Sequence, residues 1–279
     1  MTADQLTAVQ SCRPAARQEL WLGPPTMTGP TVTGTLPLLC LPHAGGGASV
    51  YRPWMRSGLP GLPWVTVVPV RLPGREQRAG ETPFTDMEFL LDAALAALAG
   101  VLAGPYAVYG HSMGALIAFE LARRARDLAG HEPVRLLVSG QRAPGQGVRP
   151  VSLSRLPDDE LIRSLQELGG LPAAVRENRE LLALMLPRVR ADLGMYEKYE
   201  YRPGRPLSCP VSVFGSLDDN CVAPRQLQSW RHHTSGEAVL RIFNGGHFFH
   251  LEHQREMLAA IADDLRGDWS RMQPDREAL

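Results

Sequence analysis

The chain has 279 residues, of which 44% are hydrophobic, and its 29 basic residues balance its 29 acidic residues. A chain of this length can bury a large core, either in one α/β domain or in two domains. The balanced charge favours neither a nucleic acid nor an anionic membrane as a partner.

Other features of the sequence predict a cytoplasmic location. No apolar run approaches the roughly 20 residues of a membrane helix, and residues 1–10 lack the basic and apolar regions of a secretory signal. The four cysteines include no Cys-x-x-Cys pair. Cys40 and Cys209 lie in or beside apolar runs, which is typical of buried free thiols in a reducing compartment.

The chain begins with a segment whose composition opposes regular structure. Residues 1–35 include the run Gly23–Pro30, in which glycine and proline exclude a helix. We therefore expect residues 1–35 to form a flexible N-terminal extension. The apolar run Leu20-Trp21-Leu22 could instead dock on the protein as an anchor, and the sequence does not decide between the two.

The first predicted strand, Leu36–Leu41, is a continuous apolar run of the kind found in buried parallel strands. It ends in Pro42-His43-Ala44-Gly45-Gly46-Gly47. Glycines directly after a strand allow backbone N–H groups to point into a site. The lysine and spacing of a phosphate-binding loop are missing, so the run fits better as an oxyanion-binding loop. A plain turn is the alternative.

The second predicted strand, Trp64–Val70, is followed by a loop at residues 71–78 that contains three arginines, Arg75 among them. These arginines could bind an anion at the mouth of a pocket, or the loop could be solvated and hold local ion pairs.

In Met87–Leu102 the apolar residues recur every three or four positions. That spacing predicts an amphipathic helix.

The run Gly110-His111-Ser112-Met113-Gly114 joins the short apolar strand Tyr106–Tyr109 to a helix that begins at Met113 and ends near Arg126. The two glycines allow a sharp turn where a Cβ atom would collide. A strand, a sharp turn and a helix with a serine at the apex are typical of a nucleophile elbow. Ser112 is therefore the candidate nucleophile.

Predicted strands and helices alternate from Leu36 to Ser139. This order predicts an α/β fold with a doubly wound, mostly parallel sheet and a ligand site at the carboxyl ends of its strands. Residues 140–206 contain no convincing strand and are too many for a simple crossover, so we expect a helical lid insertion. Residues 207–266 resume the core begun by residues 36–139. The polar residues 267–279 are expected to form a flexible tail.

A serine nucleophile needs a base, an acid that orients the base, and oxyanion donors. Ser112, one of Asp218 and Asp219, and His247 occur in the chain order Ser, acid, His and follow predicted strands. Adjacent side chains on an extended segment point in opposite directions, so only one of the two aspartates can reach His247.

The backbone N–H groups of Met113 and Ala44 are the candidate oxyanion donors. His43 flanks the proposed site and, with Arg75, is a candidate for contact with the substrate. The spacing of His247, His250 and His253 resembles a metal-binding pattern, but on a helix it would spread the three rings over about 120°. We therefore predict no metal, and we also expect no cofactor.

Together these residues resemble the type II thioesterases, which are free-standing α/β-hydrolases that accompany modular polyketide synthases and nonribosomal peptide synthetases. The resemblance extends from about Leu36 to about Leu265. The matching segments are Leu41–Gly47, Leu72–Glu76, Gly110–Ala115, Leu186–Asp192 and Gly246–Phe249.

The resemblance implies an α/β-hydrolase fold with a helical lid and no cofactor. It favours Asp219 as the acid, since Asp219-Asn220-Cys221-Val222 matches the family's D-P-x-V pattern, with Asn in place of Pro. It implies that the protein removes stalled or wrong acyl groups from the phosphopantetheine arm of acyl carrier proteins. The alternatives are a thioesterase that releases fatty acids, a general carboxylesterase, and a non-catalytic protein that docks on carrier proteins.

Overall fold

The computed structural model of the chain describes residues 14–22, 35–146, 152–171 and 173–272. The other parts of the predicted extension, lid and tail lie outside the described residues. The strands are β1 (Leu36–Leu41), β2 (Val65–Pro69), β3 (Ala107–His111), β4 (Arg135–Ser139), β5 (Val211–Ser216) and β6 (Ala238–Phe243).

The helices alternate with these strands over much of the chain. They are α1 (Pro14–Trp21), α2 (Arg52–Ser57), α3 (Met87–Leu102), α4 (Met113–Ala129), α5 (Asp158–Glu167), α6 (Ala173–Arg176), α7 (Arg179–Glu197), α8 (Pro224–Leu227), α9 (Phe249–Glu252) and α10 (Gln254–Met272). Short 3-10 helices occur at Ala48–Tyr51, Glu76–Arg78, Leu153–Arg155 and Gln228–His233.

The six strands form one sheet in the order β2-β1-β3-β4-β5-β6, and every neighbouring pair is parallel. The prediction of an α/β fold with a parallel sheet is confirmed. From β1 the chain adds β2 on one side and then crosses to β3 on the other side. A ligand crevice is expected where the strand order reverses in this way. In this sheet that position lies between β1 and β3.

The core has two layers because successive residues of a buried strand face opposite sides of the sheet. Leu39 and Leu41 of β1 pack with α3 and α4 on one side. Leu38 and Cys40 pack with α2 and α10 on the other. Strands β1, β3, β4 and β5 are covered on both faces, which explains why they are largely apolar runs in the sequence, whereas the edge strand β6 is partly exposed.

The described part of residues 140–206 contains α5, α6 and α7 and no strand. Leu161 of α5 and Leu186, Val189 and Leu193 of α7 form a separate small apolar cluster, with Ala44 packed against it. This helical region therefore has a core of its own and touches the loop after β1.

Helix α7 continues through a proline. One helix runs from Arg179 to Glu197 with Pro187 inside it. Proline removes one backbone hydrogen bond and usually breaks or kinks a helix. Here the packing of Leu186 and Val189 in the same cluster supports the helix on both sides of the proline.

Residues near both ends of the chain pack against the sheet. Near the N-terminus this agrees with the alternative in which the run Leu20-Trp21-Leu22 docks as an anchor, and residues 267–272 differ from the expected flexible tail. Trp21, in the predicted N-terminal extension, is 5% exposed and belongs to the main core. At the other end, α10 continues to Met272, and Asp268 is buried against Arg135 of β4. Residues 14–22 and 267–272 are therefore docked on the sheet domain.

Candidate active site

Ser112 occupies a strained turn between β3 and α4. Its φ is 54° and its ψ is −122°, a conformation that residues other than glycine rarely adopt. A Cβ atom on Gly110 would overlap the carbonyl of Gly114, and one on Gly114 would overlap the carbonyl of Leu41. Both glycines are thus needed for the turn to close. The Ser112 N–H donates to the Ser139 carbonyl at 2.8 Å, which ties the turn to β4.

Asp219 and His247 meet at the carboxyl ends of β5 and β6. Oδ2 of Asp219 lies 2.9 Å from Nδ1 of His247, and both side chains are buried. The other oxygen, Oδ1, accepts from the N–H groups of Cys221 at 2.7 Å and Val222 at 3.1 Å. Since a carboxylate oxygen accepts at Nδ1, the ring carries its proton there and Nε2 is left to accept a proton.

Asp218 has a different environment. Its side chain is exposed, and its N–H donates to the carbonyl of Gly245 at 3.3 Å. The structure therefore brings Asp219 and not Asp218 against His247. This agrees with the expectation that the two neighbouring side chains point in different directions.

A group of histidines packs behind His247. The ring of His111 stacks on that of His250 with their centroids 3.8 Å apart, and it lies 5.0 Å from the ring of His247. Both His111 and His250 are fully buried. Burial lowers the pKa of each well below its usual value, and nearby histidines add to the effect. These two rings are therefore neutral near pH 7.

His43 follows β1 and packs edge-on against Phe248, with ring centroids 4.8 Å apart. Burial, assisted by His247, Arg75 and Arg188, lowers the pKa of His43 to about 3. A neutral ring in this place can line a pocket. The sequence indicated a role at the site for His43 but considered His250 only as part of a metal-like spacing.

The candidate oxyanion donors follow adjacent strands. Leu41, the last residue of β1, pairs with Gly110 of β3, so the loop that contains Ala44 starts next to the elbow. Met113 is the first residue of α4 and is 1% exposed. The first N–H groups of a helix have no acceptor within the helix. They are therefore suited to bind a developing negative charge.

Arg75 does not lie at the mouth of a pocket. It is 2% exposed, and its guanidinium pairs with both carboxylate oxygens of Asp192 at 2.8 and 2.9 Å. Its remaining hydrogen bonds go to the carbonyls of Gly46, at 2.7 Å, and Pro73, at 3.2 Å. The prediction that Arg75 contacts the substrate does not fit this arrangement. No spacing in the sequence indicated its partner, Asp192.

The other two arginines of the same loop are also buried, with partners inside the protein. Arg71 lies 3.7 Å from Glu76, and Arg78 pairs with Glu81 at 2.6 Å and donates to the Arg71 carbonyl at 3.0 Å. The local ion pairs agree with the second predicted arrangement of this loop, but the arginines are buried rather than solvated. The loop instead braces the structure around the end of β1.

One group of potential metal ligands overlaps the Asp219–His247 pair. Ligand atoms of Asp219, Cys221 and His247 lie within 4.8 Å of one another. The aspartate and histidine already share a hydrogen bond, so a metal ion would compete with that contact.

A cavity of about 660 Å³ lies beside the elbow helix, between the loop after β4 and the C-terminal part of α7. Leu116 and Tyr196 are among its lining residues, and Ser112 and His247 are not. The helical region of residues 140–206 and the elbow helix α4 therefore border this cavity, and the candidate catalytic groups are not part of its lining. In the described part of the chain, no helix is long and apolar enough to cross a membrane.

The elbow serine after β3 and the Asp–His pair after β5 and β6 have the chain order and strand positions that define the α/β-hydrolases. The fold and the site thus give the general class. Comparison with known proteins gives the family within that class.

The family model described as "Thioesterase domain" matches residues 36–265. "Gramicidin S biosynthesis protein GrsT" of Aneurinibacillus migulanus is 37% identical over 232 residues, which cover 83% of this chain and 89% of that protein. The chain therefore belongs to the thioesterase domain family and is a thioester hydrolase.

Solved structures agree with this assignment. The type II thioesterase BorB from the borrelidin biosynthetic cluster has a TM-score of 0.79 at 37% identity, covering 88% of this chain and 97% of that one. The thioesterase RedJ from the prodiginine pathway of Streptomyces coelicolor has a TM-score of 0.78 at 36% identity, covering 86% and 95%. The resemblance to type II thioesterases is thus confirmed.

Proposed function

We propose that this thioesterase hydrolyses stalled or wrong acyl groups from the phosphopantetheine arm of acyl carrier proteins in a polyketide or nonribosomal peptide assembly line. The main support for the chemistry is the hydrogen bond between Asp219 and His247. These two residues lie at the carboxyl ends of β5 and β6, and Ser112 lies in its strained turn at the end of β3. Kinship with GrsT, BorB and RedJ supports the biosynthetic setting.

In the proposed first step, Oγ of Ser112 attacks the carbonyl carbon of the thioester while Nε2 of His247 takes the hydroxyl proton. The resulting oxyanion is held by the N–H groups of Met113 and Ala44. Loss of one such donor typically costs about 3 to 4 kcal/mol of transition-state stabilisation. His247 then gives its proton to the departing sulfur, and the acyl group is left as an ester on Ser112.

In the second step, a water molecule gives a proton to His247 and attacks the ester, and His247 returns that proton to Oγ of Ser112 as the acid leaves. Asp219 holds the imidazole in the required tautomer throughout. A thiol with a pKa of about 8.5, by analogy with cysteine, is a good leaving group and makes modest demands on the acid. The carrier arm is therefore a suitable substrate for this set of groups.

We infer that residues 140–206 act as a lid that shapes acyl selectivity and admits the arm. The contact between Ala44 and the apolar cluster of α5 and α7 supports this role. We also place the protein in the cytoplasm. The free thiols of Cys40 and Cys209, buried in the core, support a reducing compartment.

The proposal is tested by intact-mass spectrometry of carrier proteins loaded with different acyl units. Incubation with the protein should return the free arm, and Ser112→Ala should abolish this release. Ser57→Ala, an exposed serine at the end of α2, is the matched control and should keep full activity. Acyl release that survives in the Ser112→Ala variant would contradict the mechanism.

A second comparison separates the substrate classes. The kcat/KM for an acyl carrier protein should exceed the values for the same acyl group on coenzyme A and for p-nitrophenyl esters. A preference for simple oxyesters would make the protein a general carboxylesterase. A preference for long saturated acyl groups would favour fatty acid release.

A further inference from the structure

We propose that Asp192 and Arg75 are positioning residues that hold the oxyanion loop, residues 42–47, in the shape that catalysis requires. The proposal rests on the proposed role of the Ala44 N–H in the oxyanion hole. It assigns to a buried ion pair between the lid helix α7 and the loop after β2 a task in the reaction rather than in stability alone.

The ion pair binds two successive residues of the loop. Oδ2 of Asp192 accepts the N–H of Gly45 at 2.7 Å as well as Nη1 of Arg75 at 2.9 Å. The same Nη1 of Arg75 donates to the carbonyl of Gly46 at 2.7 Å. One carboxylate and one guanidinium therefore fix the directions of a loop N–H and of a loop carbonyl.

This contact fixes the peptide unit that follows Ala44. The N–H of Gly45 lies in the same planar peptide unit as the carbonyl of Ala44. The hydrogen bond to the Gly45 N–H therefore holds the peptide unit after Ala44. The proposed donor, the Ala44 N–H, belongs to the peptide unit before it. Without this hydrogen bond the loop could shift at Ala44, and the Ala44 N–H would lose the position that its proposed role requires.

Helix α7 also packs directly on the loop. Gly45 has a φ of +76°, and a Cβ atom built there would lie 2.5 Å from Cγ2 of Val189. Val189 and Asp192 are three residues apart, so they share a face of the helix. The loop is thus held by van der Waals contact and by a hydrogen bond from the same helix face.

Stability alone gives a weak reason for this pair. Both side chains are 2% exposed, and burial of two charges carries a desolvation penalty that a well-packed apolar pair avoids. The charged groups supply something that apolar groups lack, namely an acceptor for Gly45 and a donor for Gly46. This difference allows the structural and catalytic contributions to be separated by experiment.

The test uses the full-length protein and p-nitrophenyl butyrate, a substrate that needs the serine and the oxyanion hole but no carrier protein. In Asp192→Asn we expect kcat to fall about 100-fold or more, as when an oxyanion donor is lost, with little change in KM. Arg75→Lys keeps the charge but loses the bidentate geometry and should show a smaller fall.

The double variant Arg75→Met/Asp192→Leu separates positioning from folding. It leaves no buried unpaired charge, so its stability to urea should approach that of the wild type while its kcat stays low. A double variant with wild-type kcat would overturn the proposal. So would single variants whose kcat falls only in proportion to the fraction that is unfolded.

A transition-state mimic provides an independent readout. An alkyl trifluoromethyl ketone should form a hemiketal with Ser112, and the oxyanion hole should lower the pKa of that hemiketal, as measured by 13C NMR. The pKa should be higher in Asp192→Asn than in the wild type. An unchanged hemiketal pKa in the folded variant would overturn the positioning role.

Two controls complete the design. Arg190→Met removes a partly exposed ion pair between α7 and Asp158 that does not touch the loop, and it should keep the wild-type kcat. Ser112→Ala should abolish hydrolysis of the ester. If wild-type protein hydrolyses the ester but not acyl carrier proteins, the proposed substrate fails while the positioning test remains valid.

Discussion

Asp219 and His247 share a buried hydrogen bond of 2.9 Å, whereas Asp218, one residue earlier, is exposed. Asp219 also accepts two backbone N–H groups through its second oxygen, so its carboxylate is held in one orientation. This difference between neighbouring aspartates leads to a direct test of the acid.

Asp219→Asn should lower kcat by about 10⁴-fold, because an amide favours the wrong tautomer of the histidine. Asp218→Asn is the matched control and should stay within about twofold of the wild type, as expected for an exposed side chain without a role. Steady-state hydrolysis of an acyl carrier protein or acyl-coenzyme A measures both. A severe loss in Asp218→Asn with a mild one in Asp219→Asn would assign the acid to Asp218.

The buried imidazole of His250 should make the protein sensitive to mild acid. Its ring faces His111 and His43, and neither ring nitrogen has a hydrogen-bond partner among the described residues. Burial lowers its pKa in the folded state, so between that value and about 6.5 only the unfolded state binds the proton. Stability is therefore complete above about pH 6.5 and falls by about 1.4 kcal/mol per pH unit below it for each such histidine.

His250→Leu should make this dependence shallower by about 1.4 kcal/mol per pH unit, measured by urea unfolding between pH 5 and pH 7.5. Phe249→Leu is the control, because it removes a neighbouring buried ring without a titrating group. It should lower stability equally at every pH. An identical slope in His250→Leu and the wild type would contradict the interpretation.

Trp21 should anchor the N-terminal segment to the sheet domain. It is 5% exposed, the Arg78 guanidinium lies 4.7 Å from the centre of its ring, and its carbonyl accepts the Arg71 N–H at 2.6 Å. Trp21→Ala should lower the free energy of unfolding by about 3 to 5 kcal/mol. Leu20→Ala, at a side chain that is 41% exposed, should change it by less than about 0.5 kcal/mol. Equal effects of the two variants would contradict the docked segment.

Asp268 should stabilise the C-terminal helix through its buried pair with Arg135, whose side chains are 4% and 2% exposed. Removal of Asp268 leaves the buried Arg135 with a longer ion pair, 3.5 Å to the exposed Glu237, so Asp268→Ala should cost about 3 kcal/mol. Asp263→Ala breaks an exposed pair with Arg266 and should cost less than about 1 kcal/mol. Chemical denaturation measures both, and a negligible loss in Asp268→Ala would show that residues after 266 add little.

The sequence by itself predicted the parallel sheet and most of the candidate site, namely Ser112, His247 and the loop that contains Ala44. Buried parallel strands are continuous apolar runs, and the elbow is a local motif whose glycines are adjacent to Ser112 in the chain. Short-range signals of this kind remain visible without coordinates. For the same reason the sequence identified His247 and the glycine-rich loop that contains Ala44.

Only the tertiary structure showed by its geometry which of the two aspartates contacts His247, and that Asp192 is the partner of Arg75. Arg75 and Asp192 are 117 positions apart, and no spacing or composition reports such a contact. The docking of Trp21 and Asp268 and the continuous helix around Pro187 depend on burial against distant elements as well. Long-range packing overrides local conformational preference at these places. The free energy of a buried side chain depends on the groups that it contacts in the folded protein, which are distant in the chain.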